Sequence, residues 1–148
     1  MKIIGTDDLK GILRFAPDPQ RQTAGERIVL TVLEIMQIVG EGRIDLDEGK
    51  AEEARRIKRP SRKSSSDPAG NWDLAQGAYW MSYNETVQIP VGSTLVLQPH
   101  HTLMGNGLWH PTLFVRDWAE VPGILVVVTA RGVRIMEGAP LSTGFIVT

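Results

Sequence analysis

No cysteine occurs among the 148 residues. Disulfide stapling, thiolate zinc sites and a cysteine nucleophile are therefore excluded. Net charge is also nearly absent, since 16 Lys+Arg stand against 17 Asp+Glu and leave −1. That balance argues against a protein built to coat nucleic acid or an anionic membrane. No apolar run reaches the roughly 18 residues that span a bilayer. The opening Met1-Lys2-Ile3-Ile4-Gly5 is too short in apolar character for a secretory signal. Asn84-Glu85-Thr86 then reads as a chance match to the glycosylation sequon. The expectation is a cytoplasmic chain without a membrane partner. Also missing are a P-loop, a Rossmann fingerprint and a spaced Ser/His/Asp set.

What is present points to strands. The length predicts a single domain over 1–148, large enough to bury a core. Asp7 to Arg14 predicts one short helix, with Thr6 as cap, acids in the first turn and Leu9, Ile12 and Leu13 on one face. Pro17 and Pro19 follow as stop signals. From Arg27 to Val39 β-branched residues alternate, which favours a long strand over a helix. A second strand of about four residues is expected at Arg43 to Leu46.

Residues 47–70 change character. Asp47, Glu48, Glu52 and Glu53 give way to Arg55, Arg56, Lys58, Arg59, Arg62 and Lys63, then to Ser64-Ser65-Ser66. The expectation is a mobile insertion, a solvated loop or short helix with offsetting charges; phosphate contact by the basic cluster is the alternative. Beyond Asn71, strands are expected at Ala78–Tyr83, Thr86–Ile89, Thr94–Leu97, Thr112–Arg116, Ile124–Thr129, Val133–Met136 and Phe145–Val147. Turn residues such as Asn106-Gly107 and Arg131-Gly132 separate them. Many short strands with little helix predict an all-β fold, a distorted jelly roll or β-barrel with one short N-terminal helix.

Two stretches stand out. Asn84-Glu85-Thr86-Val87-Gln88-Ile89-Pro90 alternates as a strand does and stops at a proline. Pro99-His100-His101-Thr102-Leu103-Met104-Gly105-Asn106-Gly107 is a polar loop punctuated by glycine. Their order resembles the central "E-x-V-x-I-P … R-S-S-L" block of the dUTPase and dCTP deaminase superfamily. Asp7-Asp8-Leu9, Gln22-Thr23-Ala24-Gly25, Leu74 to Tyr79 and Glu137 to Leu141 are similar to further passages of that group. The layout is closest to archaeal dCTP deaminase-like proteins.

The resemblance implies a homotrimer with sites between subunits, acting on a pyrimidine deoxynucleotide. His100, His101 and Thr102 stand where the family's Arg-Ser-Ser meets phosphate, and Asn106 and Gly107 match its turn. Arg116-Asp117-Trp118-Ala119-Glu120-Val121-Pro122-Gly123 resembles the dUTPase "D-x-x-Y-x-G". It offers Asp117 or Glu120 as the acid that orients water, with Mg²⁺ on the triphosphate if the chain is a dUTPase. Ile124 to Val128, where deaminases carry a general acid and base, has no carboxylate. Two expectations stay open: a dUTP- or dCTP-directed enzyme, or a catalytically inactive trimeric homologue serving as a binding scaffold.

His100, His101 and His110 lie close enough in sequence to suggest a metal site. Neighbouring histidines on a strand would point to opposite faces. The expectation is therefore no metal, with the histidines facing solvent or a subunit contact. The four tryptophans are expected mainly in core or interface packing.

Overall fold

A computed structural model describes residues 2–66 and 68–148, leaving out Met1 and Asp67. Helix α1 (Thr6–Ile12) starts one residue earlier than expected, with Gly5 in the N-cap position and no side-chain cap. Leu9 on its inner face is fully buried. Strand β1 (Leu13–Arg14) follows, then a one-turn helix α2 (Pro19–Gln22), strand β2 (Thr23–Ala24) and strand β3 (Arg27–Ile38). Pro19 opens a helix where the sequence suggested only a stop.

β3 organises the rest. Its first half pairs with β2 and its second half with β4 (Arg56–Arg59) and β5 (Asn71–Tyr83). Ile28 and Leu30 point into the core, then Thr31 and Val32 are both buried and the alternation slips. The slip coincides with a register shift between Val32 and Glu34 against β5. A bulge of this kind bends a strand and increases its twist, which lets one strand serve both halves of a curled sheet.

The chain continues through β6 (Thr86–Val87), β7 (Thr94–Pro99), a one-turn helix α3 (His101–Gly105), β8 (Leu108–Trp109), β9 (Leu113–Val115), β10 (Ile124–Met136) and β11 (Pro140–Val147). The main sheet runs β8-β10-β5-β3-β11-β7-β9, with β2 and β4 attached to β3. All its pairings are antiparallel, and it curls as a half-barrel. β1 and β6 form a separate two-stranded pair. The all-β, barrel-like architecture expected from the strand pattern is the one observed. Ile28, Leu30, Ile35, Leu97, Val126 and Ile146 fill its interior at 0% exposure. Each such side chain contributes roughly 1.5–3 kcal/mol of burial.

Three local expectations are corrected. Arg43 to Leu46 is no strand: Arg43 makes only an isolated bridge to Glu52, and Ile44 and Leu46 lie fully in solvent. Asp45 instead folds back, accepting from Arg43 Nε at 2.8 Å and from the Asp47 amide at 3.1 Å. The basic stretch is partly strand, because Arg56–Arg59 pairs with Ile35–Ile38. Ile124–Thr129 and Val133–Met136 are one strand, whose register shifts between Val128 and Gly132 without breaking.

Candidate functional site

The residues singled out by sequence are spread over several places, among them two large clefts. The first lies between α2 and α3. α2 forms because Asp18 caps it and Pro19 fills the first helical position, where the missing amide costs nothing. Asp18 Oδ1 accepts from the Arg21 amide at 3.3 Å. Gln22, buried at its end, fixes the turn to the sheet. It accepts from the Asp18 amide at 2.8 Å and donates to Val29 O at 2.9 Å and Glu85 Oε2 at 2.7 Å.

Glu85 is 1% exposed. Besides Gln22 it takes the Thr31 amide at 2.8 Å and the Thr31 hydroxyl at 2.5 Å. Both carboxylate oxygens therefore have donors, the condition under which a buried acid is tolerated. Asn84 Nδ2 completes the joint by donating to Thr31 Oγ1 and Val32 O. Two passages on which the resemblance rests, one around Gln22 and one around Glu85, thus meet as one buried junction.

Across the cleft, His100 caps α3. Its Nδ1 accepts from the Thr102 amide at 3.3 Å, and the Thr102 hydroxyl approaches the same nitrogen at 2.8 Å. An amide can only donate, so Nδ1 is the acceptor and His100 carries its proton on Nε2. The His100 and His101 rings lie 4.2 Å apart between centroids, tilted by 35°. The opposite-face argument fails here because the pair starts a helical turn and is not on a strand. Burial, and then the neighbouring His101, hold the His100 imidazole below its ordinary range.

Asp18, Arg21, Thr31, His100, His101 and Thr102 line a cavity of about 600 Å³. Arg21 is the residue that sequence reasoning missed. The signal was there, in Asp18-Pro19 as a helix start. Its guanidinium is exposed and makes no ion pair among the described residues.

Asn106 and Gly107 sit at the other end of α3. Asn106 Nδ2 donates to Thr102 O at 2.8 Å, and the amides of Asn106 and Gly107 bond back to Leu103 O and Met104 O. Gly107 has φ 76°, a left-handed turn that suits glycine. Its carbonyl takes both the amide and the hydroxyl of Thr129 at 2.8 Å. These groups close α3 onto β10. Asn106 and Thr102 also border an apolar cavity of about 170 Å³.

Asp117 lines a different cavity, about 920 Å³, between the Thr86–Thr94 segment and Arg116–Trp118. Its Oδ1 accepts from the Ala119 amide at 3.1 Å and caps a 3-10 turn, Trp118–Glu120. Glu120 is exposed at the end of that turn and does not border the cavity. Trp118 tilts against Tyr83, with ring centroids 6.0 Å apart. Leu95 opposes Val115 and Leu97 opposes Leu113, so Asp117 and His100 lie at opposite ends of the β7–β9 pair. At about 3.3 Å per residue the six steps from Thr94 to His100 span roughly 20 Å. One chain does not bring the two groups together.

His110 is elsewhere again, 0% exposed in the core. Its Nδ1 donates to the Pro111 carbonyl at 2.8 Å, which leaves Nε2 to accept from Ser142 Oγ at 2.8 Å. Ser142 in turn accepts from the Tyr83 hydroxyl at 2.6 Å. Burial holds His110 below its usual range and pushes Tyr83 well above its own. Among the described residues no three His, Asp or Glu side chains converge on an ion site.

No protein-family model matches the chain. In fold, it superposes on the 2′-deoxycytidine 5′-triphosphate deaminase of Agrobacterium tumefaciens with TM-score 0.65 and 12% identity, over 97% of this chain. It spans about half of that deaminase, 47% of its length. In sequence it is 25% identical to a probable deoxyuridine 5′-triphosphate nucleotidohydrolase of Methanosarcina acetivorans, over 94% of this chain and 84% of the relative. A Methanosarcina barkeri protein of the same description matches with equal identity and coverage. In sequence the chain is thus similar to probable dUTP nucleotidohydrolases, and in fold to a dCTP deaminase. Among the described residues no helix is long and apolar enough to cross a membrane.

Proposed function

We propose that the chain acts in deoxynucleotide metabolism, binding or hydrolysing a pyrimidine deoxynucleoside triphosphate at sites formed between the subunits of a homotrimer. The observation that carries this reading is the α2–α3 cleft. There His100, His101 and Thr102, which the resemblance matches to a phosphate loop, line one cavity with Arg21, whose guanidinium makes no ion pair among the described residues. A guanidinium suits phosphate geometry, and Arg21 restores a cation that the loop itself no longer has. Asp117, or Glu120 beside it, would be the water-orienting acid supplied by a neighbouring subunit, with Mg²⁺ arriving on the triphosphate. The wide separation of the two clefts within one chain supports a site shared between copies.

A second reading has its own support. The Thr102 amide is held by His100, Asp117 spends an oxygen on its own turn, and Ile124–Val128 offers no carboxylate. These features favour a catalytically inactive homologue that keeps the assembly as a binding scaffold. A thermal-shift screen against dUTP, dCTP, dTTP and their monophosphates, with and without Mg²⁺, separates the outcomes. Stabilisation by one triphosphate, with turnover abolished in Asp117→Asn or Glu120→Gln, is the result expected of an enzyme. Stabilisation without turnover identifies the scaffold. No shift at millimolar nucleotide removes the nucleotide from the reading.

A further inference from the structure

We infer that the α2–α3 cleft is a proton-coupled polyphosphate subsite, in which Arg21 is the fixed cation and His101 takes up a proton from solvent as the anion enters. This inference rests on the nucleotide reading of the same cleft and adds how the site acquires its charge.

The charges facing the cleft from each element around it are few. α2 contributes Arg21 and, at its cap, Asp18; the segment leading into α3 and its first turn contribute His100 and His101. β3 contributes Thr31, which is uncharged, and the Gly138–Pro140 segment carries no ionisable group there. Behind this wall, Glu85 has both oxygens taken by Thr31 and Gln22. With the imidazoles neutral, Arg21 and Asp18 offset one another and the cleft has almost no net charge for a polyanion. A single proton on the histidine pair makes it cationic.

The geometry also selects which histidine takes that proton. The Nδ1 lone pair of His100 is held by the Thr102 amide and hydroxyl, so protonating it there would break the cap of α3. His101 stacks beside it at 4.2 Å with an exposed ring. A charge on one ring at that distance opposes a charge on the other, so the pair takes one proton and not two. A phosphate oxygen in the cleft would then meet an imidazolium and a guanidinium together, as charge-assisted partners.

The sign of the pH effect is diagnostic. A polyphosphate loses negative charge as pH falls through about 6–7, so a site with fixed cations binds it more weakly in acid. A site that gains its own charge does the opposite. The experiment is calorimetric titration of the full-length protein with inorganic tripolyphosphate and with dUTP and dCTP, from pH 8 to pH 5.5. Wild type, His101→Gln and Arg21→Gln are compared, with far-UV circular dichroism confirming that each is folded. Expected are about a tenfold tighter wild-type binding at the acid end and an average uptake of about 0.4 proton across that range, read from buffers of different ionisation heat. His101→Gln should lose both effects. Arg21→Gln should weaken binding at every pH and retain the proton uptake.

If nucleotide binds with the same pH dependence in wild type and His101→Gln, the nucleotide reading stands and this inference is overturned. If tripolyphosphate binds with His101-dependent proton uptake but neither nucleotide does, the subsite stands and the nucleotide reading falls. Absence of binding by all three probes at every pH overturns both.

Discussion

His110 shows how a residue's setting decides its chemistry. In the sequence it was one of three neighbouring histidines; in the fold it is the end of a buried chain, Tyr83 to Ser142 to His110 to the Pro111 carbonyl. The direction of those bonds requires a neutral imidazole, because Nε2 must accept from Ser142. Its folded pKa is lowered, so the unfolded chain binds more protons than the native one wherever the unfolded histidine titrates. Stability is therefore full above about pH 6.5 and is lost as pH falls below that value. His100, lowered as well, contributes in the same sense. The expected outcome is a melting temperature that drops between pH 7.5 and pH 5, with a shallower drop in His110→Gln even though that variant starts less stable. Thermal melts of both proteins across this range check it, and parallel curves would assign the acid lability to other groups.

Among the elements, β11 carries the tightest packing constraint. It runs between β3 and β7, and Gly144 sits opposite Ile28 on one side and Leu97 on the other. A Cβ placed there would lie 2.9 Å from Leu97 Cδ2 and 3.1 Å from Leu95 Cδ1. Those side chains are fully buried and have nowhere to retreat. Gly144→Val should cost about 1–3 kcal/mol, the usual penalty for overpacking, measured by urea unfolding at constant slope. Sequence patterns foretold β3, β7 and the last three residues of β11 because alternation records which face is buried. They missed the first seven residues of β5 and the continuity of β10. Arg131-Gly132 within β10 read as a turn, whereas a bulge keeps the hydrogen bonding going. They proposed a strand at Arg43–Leu46 because Ile44 and Leu46 alternate with polar residues, yet no sheet lies beside them. For the candidate site, the histidine loop was legible as a stretch, while Asp18-Pro19 marked the start of α2 without showing that Arg21 would reach the cleft. Arg21 enters the cleft only through a helix whose start is held by Gln22 on a distant glutamate, a contact that local spacing does not encode.

At the level of the whole molecule, the proposed homotrimer requires a surface that pays for association, and the outer face of the main sheet supplies one. Val127 is paired with Trp109, Leu125 with Trp80, and Trp80 again with Met36, so all five project to the same side. Their strand neighbours Val126, Val128 and Met81 point inward and are buried. Trp109 and Leu125 remain 53% and 36% exposed, and the Arg56 guanidinium already lies 4.2 Å over the Trp80 ring. An apolar stripe across four strands, rimmed by Arg56, Lys58 and Glu34, has the make-up of an interface centre with a polar border. Burying it in a neighbour, with its rim, would approach the roughly 800 Å² per partner that stable association needs. Leu125→Asp places an unpaired charge at the middle of this stripe while leaving the inward face untouched, and Trp109→Lys does so at its edge. Light scattering on size-exclusion eluates should show wild type as three 16.3 kDa chains and both variants as one, with the β-type circular dichroism unchanged. A wild-type protein that elutes as a single chain at micromolar concentration would leave Asp117 and the α2–α3 cleft unconnected, and with them any site shared between subunits.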